Sequence, residues 1–144
     1  MIGILIATHG KFAEGLLNAV ELIAGKQENV KTIGLYHGDG IDEFYEKIRN
    51  AYEELDQGEG VLALVDILGG SPANMLMKLM SEKQEVLAIT GVNMPMLVEA
   101  VMMREGQTVQ TLCETCLKTG TEGQLLLHEK YKELCTETKN EEEF

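Results

Sequence analysis

Basic residues are scarce in this chain. Twelve Lys and Arg stand against 24 Asp and Glu, a formal charge of −12 at neutral pH. That balance argues against nucleic acid as a partner, since such binding depends on neutralising phosphates with cationic side chains. It argues equally against an anionic membrane surface. A single phosphoryl group stays open as a ligand, because local amide dipoles hold one whatever the global charge. Long apolar runs are also missing: none approaches the ~18 residues of a membrane-spanning helix. The opening Met1-Ile2-Gly3-Ile4-Leu5-Ile6 lacks the basic flank and the length of a signal peptide and reads as structure. Cysteines number only three, an odd count with no secretory signal, which points to free thiols, a reducing compartment and the cytoplasm. Two prolines leave no Pro-rich linker, and no internal repeat is present. One domain is expected over 1–144, with residues 137–144, including Glu141, Glu142 and Glu143, a disordered acidic tail.

What is present is a regular alternation. Residues 2–7, 30–36, 61–66 and 85–90 are short apolar runs, right for buried strands and too short for buried helices. Between them, apolar residues recur at helical spacing. Phe12, Leu16, Leu17, Val20, Ile23 and Ala24 form one stripe, closed by Gly25. Phe44, Ile48, Ala51, Tyr52 and Leu55 form a second, and Met75, Leu76, Leu79 and Met80 a third. Ser71 is expected at the N-cap of that third helix with Pro72 at its first position. Asn93 is expected to cap a fourth, with Leu97, Val98, Val101 and Met102 inward, and residues from Val109 read as helix broken near Gly120. The fold class expected is α/β, a mostly parallel, doubly wound sheet of strand order 2-1-3-4 with helices on both faces.

In such sheets the ligand crevice lies beyond the carboxyl ends of the strands, where strand order reverses. Thr8-His9-Gly10 follows the first strand, His37-Gly38-Asp39 the second, Asp66 and then Gly69-Gly70-Ser71-Pro72 the third, and Gly91-Val92-Asn93 the fourth. This set suits a nucleophilic imidazole. A phosphate-accepting histidine must be neutral, with one bare ring nitrogen. Asp66 can take the Nδ1–H hydrogen bond, fix the tautomer and free Nε2 to attack. The helix opening at Ser71 offers amides to an anion, and Gly69 and Gly70 let the backbone come close. Gly10 is grouped with Gly69, Gly70 and Ser71 as phosphate-binding. No metal or cofactor is called for, since positioning and charge stabilisation supply most of the catalysis of phosphoryl transfer.

Three motifs carry a resemblance: Thr8-His9-Gly10, Val65-Asp66-Ile67-Leu68-Gly69-Gly70-Ser71-Pro72-Ala73-Asn74, and Gly91-Val92-Asn93-Met94-Pro95-Met96-Leu97. In order and spacing they resemble the mannose-family EIIA components of the sugar phosphotransferase system, over about residues 1 to 120. The resemblance implies that His9 takes phosphate on Nε2 from the histidine-containing phosphocarrier protein and passes it to an EIIB component. It implies that Asp66 is hydrogen-bonded to that histidine and that Ser71 and neighbouring amides contact phosphate. The membrane EIIC and EIID components are then indirect partners. It also implies a homodimer with an edge strand exchanged between subunits, placed around residues 105–111. Some members run on into a fused EIIB domain; here EIIB is expected as a separate polypeptide.

Plainer readings compete. Asp66 alone would cap a turn, Ser71 alone would cap a helix, and Gly69 and Gly70 would serve turn geometry. His37 is the main rival histidine, and His128 falls in the late helical stretch. Cys113-Glu114-Thr115-Cys116 has the spacing of a redox pair or half a zinc site, but lies inside a helix rather than opening one. Other functions are a flavodoxin-like module that binds a phosphorylated ligand without transfer, and the phosphotransfer subunit of a dihydroxyacetone kinase. A serine hydrolase is disfavoured, because Ser71 lacks the Gly-x-Ser-x-Gly elbow.

Overall fold

The computed structural model describes residues 1–142. Four parallel strands, β1 (Gly3–His9), β2 (Val30–Leu35), β3 (Val61–Val65) and β4 (Leu87–Ile89), lie in the order β2-β1-β3-β4. The helices are α1 (Phe12–Ala24), α2 (Ile41–Leu55), α3 (Ser71–Glu82), α4 (Met94–Met103), α5 (Val109–Glu122) and α6 (Leu127–Glu142). The sheet is covered on both faces, which is why the strands are apolar without alternation. Successive side chains of a strand point to opposite faces. Ile4, Ile6, Leu62 and Leu64 pack toward Val20, Leu97 and Leu112 of α1, α4 and α5. Leu5, Ala7, Ala63 and Val65 pack toward Phe44, Ile48, Leu76 and Leu79 of α2 and α3.

Several expectations need correction. Phe12, Ile23 and Met102 are exposed: of the expected stripes Val20, Leu97 and Val101 are buried, with Ala13 and Ala100 beside them, while these three residues flank the buried faces of α1 and α4. The helix from Val109 does break near Gly120: α5 ends at Glu122 and α6 begins at Leu127. Gly120 itself is buried within α5, where a Cβ would lie 2.7 Å from Met96 Cε, and its carbonyl accepts from Asn93 Nδ2. Residues 105–111 form no strand. Residues 105–107 turn, Thr108 caps α5 by accepting from the Thr111 N–H at 3.2 Å, and burial of Val109 and Leu112 holds the helical phase. Residues 137–142, expected to be disordered, complete α6, a stretch of good helix formers with a Lys130–Glu133 pair one turn apart. Residues 143–144 of that tail lie outside the described residues.

At the amino ends of the strands sits a residue with no sequence signal, Arg104, only 3% exposed at the C-cap of α4. Its guanidinium donates to the carbonyls of Ile2, Glu28 and Asn29, joining β1, the loop into β2 and α4. Arg104→Ala would strip charged donors from buried carbonyls, at about 3 kcal/mol, or a fall of roughly 10 °C in melting temperature. Urea and thermal denaturation check this, and an unchanged midpoint would show that water replaces the guanidinium.

Candidate functional site

Strand order reverses between β1 and β3, which are neighbours in the sheet. His9 ends β1 and Asp66 directly follows β3, so the topology sets them side by side. A single oxygen, Asp66 Oδ2, accepts from the His9 backbone N–H at 2.9 Å and lies 2.7 Å from His9 Nδ1. The other oxygen, Oδ1, accepts from the Ile67 N–H at 2.9 Å. Burial pushes the Asp66 carboxyl up, but the hydrogen bonds from His9 and Ile67 outweigh it and hold the group below the ordinary carboxylate range. An ionised carboxylate can only accept. The proton of a neutral His9 ring therefore sits on Nδ1, and Nε2 carries a free lone pair. The His9 side chain is 48% exposed, so that lone pair is open to a visiting group.

The surrounding motifs serve this pair. Thr8, fully buried, accepts from the Ala13 N–H at 2.8 Å through Oγ1 and so pins the start of α1, which has no side-chain cap of its own, to the end of β1. Gly10 turns the chain with φ +54°, and its N–H donates to the Leu35 carbonyl at 2.8 Å. Gly91 and Val92 donate to the carbonyls of Asp66 and Val65 at 2.9 and 3.0 Å, extending the hold of the β4 end on the β3 end. Asn93 caps α4, as expected, by accepting from the Met96 N–H at 3.0 Å.

Ser71 is not the N-cap of α3. Gly70 is, and it offers no side-chain cap; Ser71 opens the helix and Pro72 follows in its first turn. The first hydrogen bond of the helix is Asn74 N–H to Gly70 O. The amides of Ser71 and Ala73 thus lie outside the helix's own ladder, and Pro72 has none to offer. The Gly70–Ser71 end of α3 is next to the His9 ring, where a Cβ on Gly70 would contact the imidazole. An uncapped helix start of this kind offers free amides and a positive dipole end, the chemistry that suits an anion.

The rival residues make no hydrogen bond to His9 or Asp66 among the described residues. His37 lies exposed in the turn after β2, and His128 lies exposed at the start of α6. Cys113 and Cys116 sit within α5; burial pushes the Cys116 thiol up to about 12 and also raises Cys113, the opposite of what a reactive thiol needs. Among the described residues, no three His, Cys, Asp or Glu side chains gather as a metal would require. No helix there is long and apolar enough to cross a membrane. A groove of about 670 Å³ runs along β2 and reaches the site at Gly10, but His9 and Asp66 do not line it. Thr8 was visible in the sequence only as a neighbour of His9; a hydroxyl at a strand end five residues before an uncapped helix amide is the signal that could have singled it out.

A family model, EIIA-man, described as "PTS system fructose IIA component", matches residues 3–117. The PTS system mannose-specific EIIAB component of Escherichia coli (strain K12) is 41% identical over 123 residues, covering 85% of this chain and 38% of that longer protein. The PTS system fructose-specific EIIA component of Bacillus subtilis (strain 168) is 33% identical over 112 residues, 78% of this chain and 77% of the relative. Among solved structures, phosphotransferase system component EIIA from Streptococcus agalactiae superposes with a TM-score of 0.82 at 31% identity, covering 90% of this chain and 99% of that one.

The depressed Asp66 carboxyl carries a pH signature. Its carboxylate stabilises the fold above the unfolded value of 3.8, and that contribution is lost as pH falls through the lower, folded value. Wild type should therefore be more stable than Asp66→Asn at pH 6, with the gap narrowing as the pH falls below 3.8. Urea denaturation across that range tests it, and a gap independent of pH would remove the carboxylate from the account.

Proposed function

Because the chain belongs to the EIIA-man family of phosphotransferase-system IIA components, we propose that it carries a phosphoryl group on His9 Nε2. The donor is the histidine-containing phosphocarrier protein and the acceptor is an EIIB component, with the membrane EIIC and EIID components downstream, all in the cytoplasm or at its face. The observation that carries this reading is the Asp66 contact to Nδ1 at 2.7 Å, which leaves Nε2 bare beside the uncapped start of α3. On loading, one P–N bond breaks on the donor and one forms on Nε2; on unloading, the P–Nε2 bond breaks as the EIIB component's nucleophile takes the phosphoryl group. The Nδ1 proton stays shared with Asp66, which stabilises the positive charge the ring gains. The Ser71 hydroxyl and the amides of Ser71 and Ala73 receive the phosphoryl oxygens, while Gly10, Gly69 and Gly70 give them room. Neither metal nor cofactor enters.

A module that binds a phosphorylated ligand without transfer is less well supported, because neither His9 nor Asp66 lines the groove of about 670 Å³ beside them, which is large enough for a nucleotide or flavin. We also infer a homodimer, with the exchanged segment at residues 125–127 rather than 105–111. β4 is an open edge of the sheet, flanked by an apolar cleft of about 180 Å³ that includes Leu68, Leu76, Met80 and Ala88. Leu125 and Leu126, in the link between α5 and α6, and Leu127, which opens α6, are 69%, 59% and 80% exposed, an apolar run with no cover of its own.

Incubation with phosphoenolpyruvate, Enzyme I and the phosphocarrier protein should add one phosphoryl group by intact mass, acid-labile and absent in His9→Ala. Full labelling of His9→Ala would refute the assignment. Asp66→Asn should keep the fold and slow transfer on the order of 100-fold or more; an unchanged rate would remove Asp66 from the mechanism. For assembly, light scattering should give a dimer for wild type and a monomer for Leu126→Asp, and a monomeric wild type at tens of micromolar would overturn the exchange.

A further inference from the structure

Gly69 and Gly70 stand together in the sequence but are glycine for different reasons. Gly69 has φ +88°, a left-handed conformation that side chains resist. Gly70 has φ −90° and ψ 165°, extended backbone open to any residue. Nor does its place at the N-cap of α3 ask for glycine, since Ser, Thr, Asp or Asn would serve that helix better. What excludes a side chain there is the imidazole. A Cβ on Gly70 would lie 2.6 Å from His9 Cε1 and 3.3 Å from His9 Nε2. The ring cannot yield without cost, because its other side is fixed by the contact of Nδ1 with Asp66.

We propose that Gly70 is a positioning residue for His9: by lacking a side chain it forms one wall of a slot whose other wall is the Asp66 carboxylate, and the slot locks the imidazole. The closing wall lies along the Cε1–Nε2 edge of the ring. It therefore fixes the direction of the Nε2 lone pair, while Asp66 fixes the tautomer. Two demands on a phosphoryl acceptor, the right nitrogen and the right aim, are met by two residues in one loop. The constraint also explains why α3 lacks a side-chain cap. Any capping side chain at position 70 would occupy the space of the ring, so the helix start is left open to an anion as a consequence of making room for His9. The inference rests on the phosphoryl-carrier reading for its effect on rate, but not for its effect on the ring.

The test compares wild type and Gly70→Ala by nitrogen-15 NMR of the His9 ring and by single-turnover phosphorylation from the phosphocarrier protein. In wild type, a cross-relaxation peak should join His9 Hε1 to Gly70 Hα, and the neutral ring should be a single Nδ1–H tautomer. In folded Gly70→Ala the ring should show mixed tautomers, and transfer should slow on the order of 100-fold, the cost of misplacing a reacting group by about an ångström. Gly70→Ala with wild-type ring resonances and a rate within twofold of wild type would overturn the proposal. If that variant does not fold, the wild-type cross-peak decides, and its absence overturns the proposal equally. A wild type that shows the ring signature but takes no phosphoryl group would refute the carrier function while leaving the slot intact.

Discussion

One carboxylate oxygen organises the working end of this protein. Asp66 Oδ2 receives both the backbone N–H and the ring nitrogen of His9, so it fixes the last residue of β1 twice, once by its chain and once by its side chain. This needs β1 and β3 to be hydrogen-bonded neighbours although a whole β-α unit separates them in sequence, which the reversal of strand order at β1 achieves. The loop after β4 then bonds to the backbone on either side of the Val65–Asp66 peptide. Three motifs distant in sequence thus converge on one residue pair.

The pair is not there for stability. Half-exposed ion pairs contribute ~0–1 kcal/mol to folding, too little to justify so many supporting contacts. The stabilising charge is at the other end of the sheet, where buried Arg104 holds three carbonyls from two segments. The division follows from burial. At the amino ends a cation can be enclosed and fully bonded; at the carboxyl ends one imidazole nitrogen must stay bare and reachable. Structural and chemical tasks are separated along the strand axis, which is how this class of sheet commonly frees its upper loops for ligands.

The fold was legible because the strands are apolar on both faces, a pattern only a doubly covered sheet explains, and the strands Gly3–His9 and Val61–Val65 fall within a residue or two of their apolar runs. The candidate site was legible because His9 ends β1, Asp66 directly follows β3 and Gly70-Ser71 closes the loop after β3, so topology brings them to one rim. What was hidden depends on side-chain geometry. Ser71 reads as a cap because Ser-Pro opens many helices, and only the three-dimensional placement of His9 reveals that Gly70 takes that position. Phe12 and Ile23 read as core because helical spacing fixes a stripe but not which of two adjacent stripes faces the sheet. Arg104 gave no signal, since a lone arginine after an apolar helix is ordinarily solvated.

On the proposed reading, charge and shape together constrain what could deliver a phosphoryl group to His9. A chain carrying −12 repels free anionic donors, though screening confines that field to a Debye length of about 8 Å at physiological salt. The favourable terms are shorter still: two amides, one hydroxyl and a helix terminus, acting within the first turn of α3. A small phosphorylated metabolite would have to cross the unfavourable zone alone and then stay in place without an enclosing pocket, since neither His9 nor Asp66 lines the groove beside them. A protein donor, as proposed above, would meet neither obstacle. Its own surface would provide the binding energy and exclude water as the two faces closed, which would strengthen the local amide dipoles when the group moved. A histidine 48% exposed on a rim of loops is a poor site for a free small molecule and a good one for face-to-face transfer between proteins.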